Sequence, residues 1–156
     1  MIAEDYNLQQ AQAFYRILEE AIGKLPADVR EKLYRPSAVN CVKDVVLTEL
    51  RRQFEECGCD LDRQYAKYNR SEYFFADIVE PGRVYEIGYP RCLCPQVEAG
   101  FVNAPTHCEC SRQSILYVYG ELIPERSCFH VAEHPCGLWT ALFTMDSEDA
   151  FQPEDW

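Results

Sequence analysis

The chain opens with apolar residues spaced three and four apart. Leu8, Ala11, Tyr15, Leu18 and Ile22 recur through residues 4–23, share one face of an amphipathic helix, and are followed by Gly23 as its stop. Leu25, Val29 and Leu33 predict a short second helix, opened by Pro26 and ended before Pro36. A third helix is expected over 39–57, with Val42, Val46, Leu50 and Phe54 on its apolar face. Lys43, Asp44, Arg51, Arg52 and Glu55 lie off that face, and Gly58 stands where a helix C-terminal cap is expected. Helical spacing continues through Leu61, Tyr65, Tyr68, Phe75 and Ile78, with a break near Asn69, until Glu80-Pro81-Gly82 ends it.

After Gly82 the period changes. Tyr85, Ile87 and Tyr89 alternate with Glu86 and Gly88, which predicts a strand over 84–89. Residues 90–110 read as loop, with Pro90, Pro95, Pro105 and four cysteines. A helix follows over 111–122, with Ile115, Leu116, Tyr119 and Leu122 on one side and Pro124 beyond its end. Residues 127–134 and 138–145 read as two strands joined by Pro135-Cys136-Gly137. Helices gathered ahead of strands predict an α+β fold: N-terminal helices packed on a small antiparallel sheet, with one further helix. The 156 residues fit one domain over 1–145. Residues 146–156 carry five acidic side chains and no basic one, and read as a solvated acidic tail.

Charge narrows the partners. Asp and Glu number 26 against 15 Lys and Arg, a formal net charge of −11. Such a field repels phosphate backbones and anionic lipid, which argues against nucleic acid or a membrane surface as partner. The first residues lack a basic stretch followed by an apolar one, and no run of about 18 apolar residues exists. A cytoplasmic protein is expected. Nine cysteines in a reducing compartment, an odd number, do not suggest a disulfide framework. Metal binding, redox chemistry and buried thiols remain.

Three cysteine pairs have the spacing i, i+2: Cys57/Cys59, Cys92/Cys94 and Cys108/Cys110. In extended chain such side chains point the same way, with Cα atoms about 6.5–7 Å apart. A tetrahedral zinc ion about 2.3 Å from each sulfur draws two inward-leaning thiolates together, and the loop between the last two pairs is long enough to fold one over the other. The expectation is one metal held by Cys92, Cys94, Cys108 and Cys110, with His107 as alternate ligand. Zinc is preferred to an iron–sulfur cluster, which favours other spacings. Four thiolates around a divalent ion leave a net negative charge. Arg91, Arg112 and the start of the helix at Ser111 are placed to offset it. Cys57, Cys59 and Cys41 read as ordinary thiols, Cys57 and Cys41 in the core.

On a strand over 127–134, Cys128, His130 and His134 share a side and Cys136 follows them, a Cys2His2 set. An exposed polar strand face is the preferred reading, and a Cys128–His130 nucleophile and base the sharper one. Tyr65, Tyr68, Tyr73, Phe74 and Phe75 read as core, with a ligand pocket between helices and sheet as the alternative.

The segment Gly88-Tyr89-Pro90-Arg91-Cys92-Leu93-Cys94-Pro95, then His107-Cys108-Glu109-Cys110-Ser111-Arg112 and the helix after it, resembles uncharacterised bacterial cysteine-motif proteins. These are similar to the L-2-amino-thiazoline-4-carboxylic acid hydrolase-like family and, more distantly, to 4-vinyl-reductase-type ligand-binding domains. The resemblance implies an α/β ligand-binding fold, cysteine-held zinc in some members, and in the hydrolases the opening of a thiazoline ring. Members often close with Gly-x-x-x-Cys-x-Phe. Here Gly137 to Phe143 carries Ala141 at the cysteine position, which puts the hydrolase activity in doubt. The reading that follows is a zinc-stabilised domain that binds a small organic molecule. Its alternatives are a zinc- or thiol-dependent hydrolase of a cysteine-derived thiazoline-type substrate, and a redox or iron–sulfur switch. A homodimer is left open.

Overall fold

The computed structural model describes residues 2–82, 84–89, 93–102, 105–123, 128–133 and 139–144. Four helices lead: α1 (Ile2–Gly23), α2 (Ala27–Val42), α3 (Val45–Glu56) and α4 (Leu61–Tyr68). Strands β1 (Phe75–Glu80) and β2 (Val84–Gly88) form a hairpin. The short helix α5 (Pro95–Glu98) and a 3-10 turn at Pro105–Cys108 precede helix α6 (Glu109–Leu122), then strands β3 (Cys128–Glu133) and β4 (Trp139–Thr144). The strands make one antiparallel sheet in the order β1-β2-β4-β3. The fold is α+β.

Two of the expected helices are drawn differently. The second does not stop before Pro36 but runs through it to Val42, and the chain then breaks at Lys43-Asp44 before α3. Pro36 lies on the exposed side of α2, where the carbonyl it leaves without an N–H partner can be hydrated. The break rotates the next helix. Leu47 and Phe54 become its buried residues, while Val46 is 41% exposed. The end of α3 follows the sequence: Gly58 takes a φ of 74°, its N–H reaches the Glu55 carbonyl, and the Cys59 N–H reaches that of Phe54.

Phe75 and Ile78 are not helical. α4 ends at Tyr68, and 75–80 pairs with β2, Ala76 opposite Ile87 and Ile78 opposite Tyr85. A β-branched and aromatic stretch satisfies its backbone better against a neighbouring strand than in a short helix extension. The hairpin is tied to α4 by Asp62, whose Oδ1 accepts from the Gly82 N–H at 3.0 Å and from the Tyr85 hydroxyl at 2.7 Å.

α6 packs on α2 and reaches β4, so it lies between the N-terminal helices and the sheet. Its buried residues Ile115, Val118, Tyr119 and Leu122 meet Phe54, Leu61, Tyr65, Tyr85 and Ile87 in the core. Inside it, the Tyr65 hydroxyl donates to that of Tyr119 at 2.6 Å. α1 stands apart from this core. Its apolar stripe is half open, with Tyr15 48% and Leu18 43% exposed. It is joined to the cysteine segment instead: Tyr15 packs edge-on against Phe101, and the Gln12 side chain donates to the Ala99 carbonyl. No described helix is long and apolar enough to cross a membrane.

Candidate functional site

The open stripe of α1 faces a cavity of about 760 Å³. Tyr15, Leu18 and Ile22 form one wall, Val42 and Val46 of the α2–α3 break a second, and Phe101 and Val102 a third. The fourth wall is polar, and sulfur dominates it: Cys41 from α2, Cys94 ahead of α5, and Cys108 and Cys110 at the start of α6, with His107, Ser37 and Tyr34. A largely apolar cleft with a few convergent polar groups is the usual form of a small-molecule site, and its volume is in the usual range.

One contact organises the polar wall. Cys94 Sγ lies 3.1 Å from His107 Nε2, and His107 Nδ1 lies 3.3 Å from Glu19 Oε1 of α1. Glu19 is only 3% exposed, and Tyr34 meets the imidazole ring edge-on with centroids 5.5 Å apart. At 3.3 Å this pair is an electrostatic contact and not a formed hydrogen bond, and a neutral His107 with its proton on Nδ1 turns its positive edge toward the carboxylate. Nε2 then presents its lone pair to the Cys94 thiol. Burial lowers the His107 pKa and the Glu19 charge opposes that shift, so the ring is a neutral base near pH 7.

The other thiols have different surroundings. Burial pushes Cys110 up to about 11, helped by the fields of Cys41, Cys94 and Cys108, while a hydrogen bond from Ser37 pulls the other way. Cys110 is therefore a neutral thiol at physiological pH. Burial, then the charge of Glu19, raises the Tyr34 phenol to about 12, so it stays protonated too. Gln96 Oε1 lies 2.8 Å from Cys94 Sγ and is a second acceptor for the thiol proton.

Of the expected metal ligands, Cys94, Cys108, Cys110 and the alternate His107 all line this cavity, whereas Cys92 and Arg91 lie outside the described residues. Cys94 and His107 meet, but among the described residues no three His, Cys, Asp or Glu side chains converge as a metal site requires. Arg112 does not face a sulfur: its guanidinium is held by Glu31 at 2.8 Å and Glu109 at 2.9 Å. Ser111 does line the cavity. Cys57 is buried as expected. Cys41 is not in the core but exposed at the cavity, because α2 continues through Pro36 and turns it outward. Cys128 and His130 lie on β3, and His134 and Cys136 lie outside the described residues.

The sequence reading missed Glu19. It sits beside Leu18 on a helix with an apolar stripe, and its only local signal is a carboxylate next to that stripe, which surface helices often carry. No family model, curated protein or solved structure matches this chain.

Proposed function

We propose that the protein is a small-molecule-binding domain whose ligand lies between α1, α2 and the cysteine segment, its apolar body against the helices and a polar end at the thiol and imidazole wall. The observation that carries this reading is the unfilled apolar stripe. Leu18 and Ile22 stand at core spacing yet face a cavity, with Tyr15 beside them covered only edge-on by Phe101. A helix face of this kind gains stability when something apolar covers it, since each square ångström removed from water contributes about 25 cal/mol.

Nile red, a neutral apolar dye, tests it. The full chain should enhance the dye's fluorescence with saturable, one-site binding. Ser37→Trp, at an exposed cavity-lining position of α2, and Leu18→Asp should each weaken binding about tenfold or more while leaving the thermal midpoint nearly unchanged. Equal affinity in both variants would place the dye elsewhere and remove the reading.

Zinc is a second proposal, favoured by the meeting of Cys94 with His107. A closed tetrathiolate site needs Cys92 as well. One zinc ion per chain, with four thiols protected until chelation, is its test.

A further inference from the structure

We propose that Cys94, His107 and Glu19 act as nucleophile, base and positioning carboxylate on a neutral acyl compound in the cavity, an ester or thioester with an apolar acyl group; this rests on the cavity being a ligand site. The three residues come from separate parts of the chain, ahead of α5, in the 3-10 turn and in α1, yet form one line: sulfur to Nε2 at 3.1 Å and Nδ1 to carboxylate at 3.3 Å. A thiol touching a base is the core of an activated nucleophile, and the Glu19 charge behind the ring favours the imidazolium that proton transfer creates. Cys94 stands at the cavity wall and is only partly buried, so a ligand carbonyl can reach it. Gln96 also touches the sulfur, and the residue directly after Cys94 is Pro95, which has no N–H to offer a developing oxyanion. Turning the Gln96 amide over would present its NH2 group beside the sulfur, where the oxyanion forms.

The substrate class follows from the walls. The acyl chain has Tyr15, Leu18, Ile22 and Val46 to lie against. Glu19 places a carboxylate behind the imidazole, and no Lys or Arg lines the cavity among the described residues, so a neutral ligand is favoured over an anionic one. This sets the site apart from the thiazoline carboxylate that the sequence resemblance implies.

The step balances without a co-reactant other than water. The Cys94 S–H proton passes to His107 Nε2 as sulfur bonds to the acyl carbon. The tetrahedral species collapses, the bond to the leaving alcohol or thiol breaks, and the leaving group takes the proton from Nε2. Water then attacks the S-acyl carbon and gives a proton to His107. The C–S bond breaks, the acid departs, and sulfur recovers its proton.

p-Nitrophenyl butyrate and the full chain test this, read by p-nitrophenolate release and by mass spectrometry of the acylated peptides. One butyryl group per chain on Cys94 is expected. Cys94→Ser should abolish it, and His107→Gln should slow acylation about 100-fold, the usual contribution of a positioned base. Glu19→Gln should slow it about tenfold and Glu19→Asp should recover part of the rate, a rescue that a merely structural role does not produce. Cys59→Ser, on the α3–α4 turn, should react like the wild type. If Glu19→Gln does not fold, the near-isosteric Cys94→Ser still decides the matter. Butyryl spread evenly over Cys41, Cys108 and Cys110, unchanged rates in His107→Gln, or a Cys94 that reacts only after a zinc ion is chelated would each overturn the nucleophile. In those cases dye binding leaves the cavity reading standing. Acylation of Cys94 without dye binding would remove the cavity reading and keep the nucleophile.

Discussion

The buried tyrosine pair allows a sharp energetic test of how the cysteine-bearing helix is held. Tyr65 and Tyr119 are 1% and 2% exposed, and their hydroxyls are 2.6 Å apart, Tyr65 donating. The bond joins α4 to α6, the helix that carries Cys110. Tyr65→Phe removes a donor and one net hydrogen bond, at a cost of about 1 kcal/mol. Tyr119→Phe leaves the Tyr65 O–H donor buried against a ring edge, and a stranded buried donor costs about 1–3 kcal/mol. The double variant removes both hydroxyls and keeps both rings, so it should cost only about 1 kcal/mol. The singles sum to about 3 kcal/mol, and the interaction energy in the cycle is then roughly −2 kcal/mol. Urea titrations followed by circular dichroism would measure it, and midpoints in thermal melts should move about 2–4 °C per kcal/mol. Additivity of the singles to within about 0.5 kcal/mol would refute the argument, since it would mean the hydroxyls do not depend on each other.

Stability should fall on the alkaline side. The folded Cys110 thiol is raised to about 11 and the folded Tyr34 phenol to about 12, from ordinary values of 9.0 and 10.0. Above each ordinary value the unfolded chain loses that proton while the folded chain keeps it, so stability present below pH 9 drains away between pH 9 and 12. The slope is on the order of 1 kcal/mol per pH unit per group, and urea midpoints that stay level from pH 8 to 10.5 would contradict it. Gly23→Ala should lower the acylation rate severalfold, because a Cβ there would meet Thr106 Oγ1 at 3.0 Å and press on the turn that carries His107; an unchanged rate would show that Thr106 gives way without moving the ring. Chelation should leave the thermal midpoint in place, because Phe54, Leu61, Tyr65, Tyr85, Ile115 and Tyr119 build the core without the cysteine loop. A fall of many degrees with release of one zinc ion would instead restore the tetrathiolate site.

Much of the architecture was legible because it rests on local signals. The 3-4 spacing of α1, the cap at Gly58, the alternation of Tyr85 and Ile87, and the helix ahead of Pro124 each have a short-range cause. What failed depended on distant partners. Phe75 and Ile78 continue a helical period on paper, but β2 supplies a pairing edge that the local sequence does not display. Pro36 usually ends a helix, yet a proline on the water side of a packed helix costs less than losing that helix's contacts with α6. The cavity was partly legible, since Cys94, Cys108, Cys110 and His107 were singled out and all reach it. Glu19 was not, because its role is set by a residue 88 positions later in the chain, and nothing in 2–23 marks it.

Cysteines at i, i+2 look equivalent in sequence, and the fold makes them unequal. Cys108 and Cys110 begin α6 and share the polar wall with Cys41. Burial, then the fields of Cys41, Cys94 and Cys108, disfavours ionisation of Cys110. A thiolate at Cys110 would be costly, so that sulfur serves as a soft, neutral surface. Cys94 reaches the same wall from ahead of α5, and its sulfur touches the imidazole. Proton transfer there creates an ion pair of thiolate and imidazolium, and the positive ring is then stabilised by the carboxylate 3.3 Å behind it. Separating the charge toward Glu19 leaves Cys110 neutral. The wall that discourages Cys110 from ionising can therefore allow Cys94 to react, provided the buried carboxylate stays in place.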